Sequence, residues 1–176
     1  IFAGLATSTK YNAAIVALPA LWAVLSPERP EAWPWLSRLG RAVLFGLVMV
    51  AAFVLTTPYS VIEFSRFASA LRGVSAHLAA GHGVMLGRGW VVHVASSLRH
   101  GLGEPLLVAS LAGLALLAIK RPRTGVLVAL FPVTYYAVIG SGYTVFARYI
   151  VPVVPFLCLA AAYAVSLQGG MDSLMK

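Results

Sequence analysis

An all-α integral membrane fold is predicted by three features of this sequence. Of its 176 residues, 60% are hydrophobic and only 10% are charged. Mean hydropathy is +0.89, and the apolar residues come in long unbroken blocks. A soluble domain carries roughly 25% charged and about 45–50% apolar residues. The composition therefore excludes a disordered chain, a nucleic-acid-binding domain and an ordinary cytosolic enzyme, despite a formal net charge of +8. With Cys158 as the single cysteine, no intrachain disulfide or Cys-rich metal site can form. The sequence opens at Ile1, inside an apolar stretch and without a signal-peptide pattern, so it reads as a piece of one longer multispanning domain.

Five blocks are expected to cross a bilayer: residues 1–25, 42–57, 105–119, 125–140 and 149–167. A helix crossing the hydrocarbon needs about 20 apolar residues. The middle three are short, so flanking residues or local thinning must complete them. Pro19, Pro132, Pro152 and Pro155 fall within these blocks. In a membrane bundle, neighbouring helices can satisfy the backbone groups a proline leaves free. A buried soluble core would need a polar face at a 3.6-residue period, and these blocks are apolar all round.

Basic residues set the expected orientation. Arg29, Arg38 and Arg41 lie between the first two blocks, Lys120-Arg121-Pro122-Arg123 forms a tight turn, and Lys176 closes the tail. With five crossings these segments share one side, which the positive-inside rule makes cytoplasmic. Residues 58–104 then form a long extracytoplasmic loop carrying Arg66, Arg72, Arg88 and Arg99.

Within that loop, Ser60-Val61-Ile62-Glu63 fits a capping box at a helix start. Phe64, Phe67, Ala68, Leu71, Val74 and Leu78 follow at helical spacing, with Glu63, Arg66, Ser69 and Arg72 elsewhere on the wheel. This pattern suits an amphipathic helix lying on the membrane surface. A second such helix is expected from Trp90, with Val94, Leu98 and Leu102 on its apolar stripe and His93, Ser97 and His100 off it. The glycine-rich residues 81–89 connect the two.

Few side chains offer chemistry. Lys10 lies within the first block, where a charge at the bilayer centre costs roughly 2.5–3.5 kcal/mol. It reads either as a lysine snorkelling to the headgroups or as an inward-facing cation for an anionic ligand. Arg148-Tyr149 opens the last block. A guanidinium there can form a forked pair with phosphate and the phenol can donate beside it; the competing reading is an interfacial anchor. His77, His82, His93 and His100 share the loop, yet no His-Glu-x-x-His spacing or Cys pair accompanies them, so surface polar roles are expected and no metal. The glycine cluster lacks the Gly-Lys-Ser/Thr ending of a P-loop. The acids are Glu28, Glu31, Glu63, Glu104 and Asp172. Glu28, Glu31 and Asp172 fall on the cytoplasmic side, and Glu63 is expected to serve a helix end. Glu104, before Pro105 at the mouth of a span, reads as a helix-end cap or, alternatively, a base. No acid–base pair of the kind general catalysis needs is evident.

Four runs resemble those of glycosyltransferase family 39, the membrane family that includes dolichyl-phosphate-mannose protein mannosyltransferase-like enzymes and the lipid A aminoarabinose transferase. Gly4-Leu5-Ala6-Thr7-Ser8-Thr9-Lys10-Tyr11 is similar to their "GLA-x-x-TKY" run. Thr57-Pro58-Tyr59 with Glu63-Phe64 is similar to "NPY" and the acidic-aromatic run after it. The stretch 89–114 resembles "GW … GLG-x-P … L-x-G", and Arg148-Tyr149-Ile150-Val151-Pro152 resembles "RY-x-x-P". The runs occur in the right order along nearly the whole chain.

The resemblance implies a C-type glycosyltransferase in a bacterial plasma membrane. Such an enzyme moves a sugar from a polyprenyl-phosphate carrier to a lipid, protein or glycan acceptor outside the cytoplasm, with no cofactor. By the same resemblance the catalytic carboxylate lies upstream of this chain, and Lys10, Arg148 and Tyr149 hold the carrier phosphate. Membrane lipids are the other expected partners, and nucleic acid is not. The rival classes are a secondary transporter, which discontinuous spans would support, and a membrane subunit with no site of its own.

Overall fold

Helix follows helix along this chain because its apolar blocks must satisfy their own backbone groups once away from water. A computed structural model describes residues 1–27, 33–81 and 86–174, with side chains as far as Leu167. Arg29, Glu28, Glu31, His82 and Lys176 lie outside the described residues, as does the Asp172 side chain. The chain divides into two compact units, Ile1–Val74 and Ser75–Lys176.

The first unit begins with α1 (Phe2–Thr9), a 3₁₀ segment (Tyr11–Val16) and α2 (Ala17–Leu25). The expected single span over 1–25 is therefore broken, and the break is at Lys10, which is extended at φ −153° and ψ 119°. Hydroxyls crowd the preceding turn: Thr7 donates to the Ala3 carbonyl, and Ser8 and Thr9 to that of Leu5. Such back-bonding competes with the helical ladder and bends it. Helix α3 (Trp35–Thr56) is 22 residues long, about 33 Å at 1.5 Å per residue. It starts earlier than the apolar block, because Arg38 and Arg41 organise around Trp33. Arg38 Nε donates to the Trp33 carbonyl at 2.7 Å and the Arg41 guanidinium lies 3.1 Å from the indole centroid. Tyr11, Phe53 and Phe67 meet edge to face or tilted, with centroids 5.4–6.4 Å apart.

Next come α4 (Tyr59–Ile62) and α5 (Phe64–Ala80). The capping box is not formed. Ser60 sits inside α4 and is buried, donating to the Thr57 carbonyl at 2.7 Å, while Glu63 pairs with Arg66 at 2.9 Å. Thr57-Pro58 ends α3 and restarts the helix with Pro58 at the N-cap, two residues too early for Ser60 to serve as one. Helix α5 forms as its spacing predicts and turns Phe67, Ala68, Leu71 and Leu78 inward, with Phe64 and Val74 exposed.

The second unit continues through α6 (Gly89–Val92), a π-helical turn (His93–Leu98) and α7 (Arg99–Leu102). Gly103, at φ +78°, then turns the chain by 112° into α8 (Glu104–Lys120). A one-residue link at Arg121 leads to α9 (Pro122–Gly140); α10 (Ala147–Ile150), a 3₁₀ turn (Val151–Val153) and α11 (Val154–Leu174) complete the fold. The π-helical turn overturns part of the expected stripe from Trp90: Leu98 is buried as expected, but Val94 and His93 exchange roles. One extra residue in the turn rotates the wheel, so His93 is buried while Val94 faces out. Helix α8 packs chiefly on α11 and α9. At its centre Gly113 rides on the backbone of Ala160, and Ser110, Leu117, Leu157 and Ala161 are buried around them. Small residues at such crossings let helices approach closely in lipid. Phe131 stacks on Tyr135 and Phe156 at 5.3 and 4.9 Å.

Among the described residues, three helical stretches are long and apolar enough to cross a membrane: Trp35–Thr56, Pro122–Gly140 and Ala147–Leu167. A fourth is gained if the bent pair Gly89–Leu102 and Glu104–Lys120 is one span. Five were expected. The shortfall comes from the break at Lys10 and from α8, which is only 17 residues long.

Candidate functional site

The second unit gathers its polar chemistry on the turn between α9 and α10. Gly140, the last residue of α9, leaves room for the Trp90 indole, whose space a side chain there would occupy. The indole is pinned by its Nε1–H donating to the Ala137 carbonyl at 3.1 Å, and the Tyr136 hydroxyl donates to the Trp90 carbonyl at 2.6 Å. The Gly89 amide adds a bond to the Gly142 carbonyl at 2.9 Å. These contacts fasten α6 to the turn. On the turn's other flank, the amides of Tyr143 and Thr144 both donate to the Leu78 carbonyl at 3.0 Å, and the buried Thr144 hydroxyl donates to that of His77. The last carbonyls of α5 are thus satisfied by the turn, as a helix end requires.

Two guanidinia are held there by aromatic rings. Arg88 Nε donates to the Tyr143 hydroxyl at 3.3 Å, and its guanidinium lies 5.8 Å from the Tyr143 ring and 5.6 Å from the Trp90 ring. The hydrogen bond to Tyr143 raises the Arg88 pKa further above its ordinary value. Arg148 lies 4.3 Å from the Phe146 ring centroid and 5.6 Å from that of Tyr149, and those two rings meet edge to face at 5.2 Å. Among the described residues neither arginine joins an ion pair. By contrast, Arg66 is paired with Glu63, and Arg99 with Glu104. Both ring-held guanidinia are exposed, positive, and able to present a fork to a phosphate or carboxylate.

The expected site residues are distributed as follows. Arg148 and Tyr149 lie together in α10, at the start of the last apolar stretch. Lys10 belongs to the first unit, where it is exposed at the helix break and its amide still donates to the Ala6 carbonyl at 3.0 Å. Glu104 sits in the first turn of α8, makes no side-chain cap bond, and accepts from Arg99 Nε at 2.7 Å. His77 and His100 are exposed. His93 is fully buried rather than on the surface; its Nδ1 is 3.2 Å from the Ser97 hydroxyl and its Nε2 has no partner among the described residues. Its π-helical turn packs against α10, so a buried imidazole supports the element that carries Arg148 and Tyr149.

Arg88 was not singled out in the sequence. It sits at the end of a glycine-rich connector, and its partner Tyr143 is 55 residues away. No family model, curated protein or solved structure matches this chain.

Proposed function

We propose that this chain is part of a multi-pass membrane glycosyltransferase. It moves a sugar from a polyprenyl-phosphate carrier to an extracytoplasmic acceptor, in a bacterial plasma membrane. The observation that carries the reading is the α9–α10 turn, where Arg88 and Arg148 are held against aromatic rings and, among the described residues, have no carboxylate partner. In the transfer, the acceptor oxygen attacks the anomeric carbon as the bond to the carrier phosphate breaks. Negative charge then grows on the departing phosphate. Fixed cations stabilise that charge without reorganising, and the Tyr149 hydroxyl can donate beside them. By the family resemblance, the base that takes the acceptor proton lies upstream of this chain. The family resemblance adds Lys10 as a further carrier-phosphate ligand.

Transfer of labelled sugar from a synthetic polyprenyl-phosphate donor by the full-length protein tests this. Losing one charge-assisted hydrogen bond is worth about 1.5–3 kcal/mol, so Arg148→Ala should slow transfer roughly tenfold to a hundredfold. Tyr149→Phe and Lys10→Ala should each reduce it with normal membrane insertion. Unchanged transfer in all three variants would remove the assignment.

A second reading, a secondary transporter, is favoured by one observation. The first apolar block is discontinuous, with extended backbone at a cation, and transporters build ion and substrate sites from such broken helices. Under that reading Lys10→Ala abolishes uptake by proteoliposomes, and no sugar is transferred by the unmodified protein.

A further inference from the structure

We infer that the outer face of α8 and α11 is a binding site for an anionic phospholipid, distinct from the α9–α10 turn. An open groove of about 420 Å³ runs between the two helices. Its walls are Val108, Ala112 and Leu116 of α8 with Ala164 and Val165 of α11, and Lys120 stands at its end. From Pro105 to Lys120 the groove extends for 15 helical residues, about 22 Å. One leaflet of hydrocarbon is about 15 Å deep, half of a typical core. A single acyl chain therefore fits within the groove, and when laid along its small side chains with the headgroup at the basic end it sits beside Lys120.

Charge at that end selects the headgroup. Lys120 is followed at once by Arg121 and Arg123, so three cations occupy four positions. The Lys120 and Arg121 side chains are exposed, and Arg123 is half-buried. In sequence, the first acid after Leu167, the last groove residue on α11, is Asp172, five residues on. Glu104 lies at the opposite end of α8 and is already paired with Arg99. Lysine stems lie comfortably on apolar surface with the ammonium at the headgroups, and each basic residue near the surface contributes roughly fivefold in affinity for anionic lipid. A phosphate monoanion with acyl tails satisfies both ends of the groove; a free phosphate satisfies only one.

Native mass spectrometry of the full-length protein, delipidated and then titrated with dioleoyl phosphatidylglycerol or dioleoyl phosphatidylcholine, tests the inference. Phosphatidylglycerol should be retained far more strongly than phosphatidylcholine, with retention falling as salt is raised. Neutralising Lys120, Arg121 and Arg123 together to glutamine should weaken it about a hundredfold. If that variant does not fold, Lys120→Gln alone should weaken it roughly fivefold. Ala112→Trp, at an exposed position, should fill the groove and displace the lipid while leaving the cations in place; Arg72→Gln should change nothing. Equal retention of the two lipids would overturn the inference. So would Ala112→Trp leaving phosphatidylglycerol bound, or millimolar inorganic phosphate displacing it. Conversion of a dimer to a monomer by Ala112→Trp, without lipid loss, would assign the groove to a second copy of the chain instead.

Discussion

Gly113 is the point at which α8 and α11 come closest, and Gly113→Ala should weaken the second unit measurably. A Cβ on Gly113 would fall upon the Ala160 carbonyl oxygen, well inside contact distance, and lie 3.2 Å from the Ala160 Cα. The obstacle is backbone, so no rotamer change relieves it and the helices must separate by about 1 Å. A gap of 0.5–1 Å forfeits a quarter to a half of the dispersion well of each contact. The loss extends along the whole seam around Ser110, Leu117, Leu157 and Ala161. Forcing an extra methyl into a packed interface costs about 1–3 kcal/mol. Against this, alanine gains about 0.8–1 kcal/mol over glycine in a helix interior. Because the clash is with backbone, the upper half of the packing cost, about 2–3 kcal/mol, applies; the net is a destabilisation of about 1–2 kcal/mol, read as a fall in Tm of about 2–8 °C for a chain of this length. Gly46 of α3 supplies the control, since a Cβ there meets nothing within 4 Å, and Gly46→Ala should hold Tm or raise it. The assay is thermal unfolding of the detergent-solubilised full-length protein. A Gly113→Ala Tm equal to or above that of the unmodified protein would refute the close crossing.

Two further substitutions address the α9–α10 turn. Thr144→Val removes the buried hydroxyl that donates to His77 and should cost about 0.5–1.5 kcal/mol; hydrogen exchange at the Tyr143 and Thr144 amides should accelerate, and unchanged exchange would show that the turn does not depend on it. Gly140→Ala should push the Trp90 indole off its bond to Ala137, shifting and quenching indole fluorescence relative to Trp90→Phe backgrounds and costing about 1–3 kcal/mol; a spectrum identical to that of the unmodified protein would place the indole elsewhere.

The all-helical architecture was legible because hydrophobic blocks are long-range statements about composition, insensitive to local detail. The positions of α9, α11 and the tight turn at Arg121 follow the blocks and the Lys120-Arg121-Pro122-Arg123 signal closely. Local geometry was less legible. Ser60 and Glu63 have the capping-box spacing, but the chain turns at Thr57-Pro58 and starts its helix two residues earlier. Helical spacing misplaced His93 because a period of 3.6 does not apply across a π-helical turn. Lys10 was visible as an ionisable residue in an apolar block, whereas the backbone break beneath it depends on three successive hydroxyls that a hydropathy pattern ignores. Arg148 and Tyr149 were readable from adjacency alone. The pairing of Arg88 with Tyr143 was not, since it depends on Gly89, Gly140 and Gly142 drawing two distant segments together.

The charge arrangement separates structural arginines from those available to a ligand. Arg66 and Arg99 stand three and five residues from Glu63 and Glu104 and meet them directly. Each such pair is locally neutral and, being exposed, contributes about 0–1 kcal/mol. Arg88 and Arg148 are fixed differently, by ring faces and a phenol. A cation–π contact at an exposed site is worth about 0.5–1 kcal/mol, enough to bias the side chain's orientation while leaving its positive charge unneutralised. A carboxylate partner would have to be displaced before an anion could dock, and the ring does not. Aromatic fixation therefore yields an oriented, uncompensated cation, which is the condition for stabilising charge that develops on a leaving group. Replacing Phe146 with glutamate would convert Arg148 to the paired kind: the helix start should tolerate the exposed pair, while any function that needs the free guanidinium should be lost as fully as in Arg148→Ala.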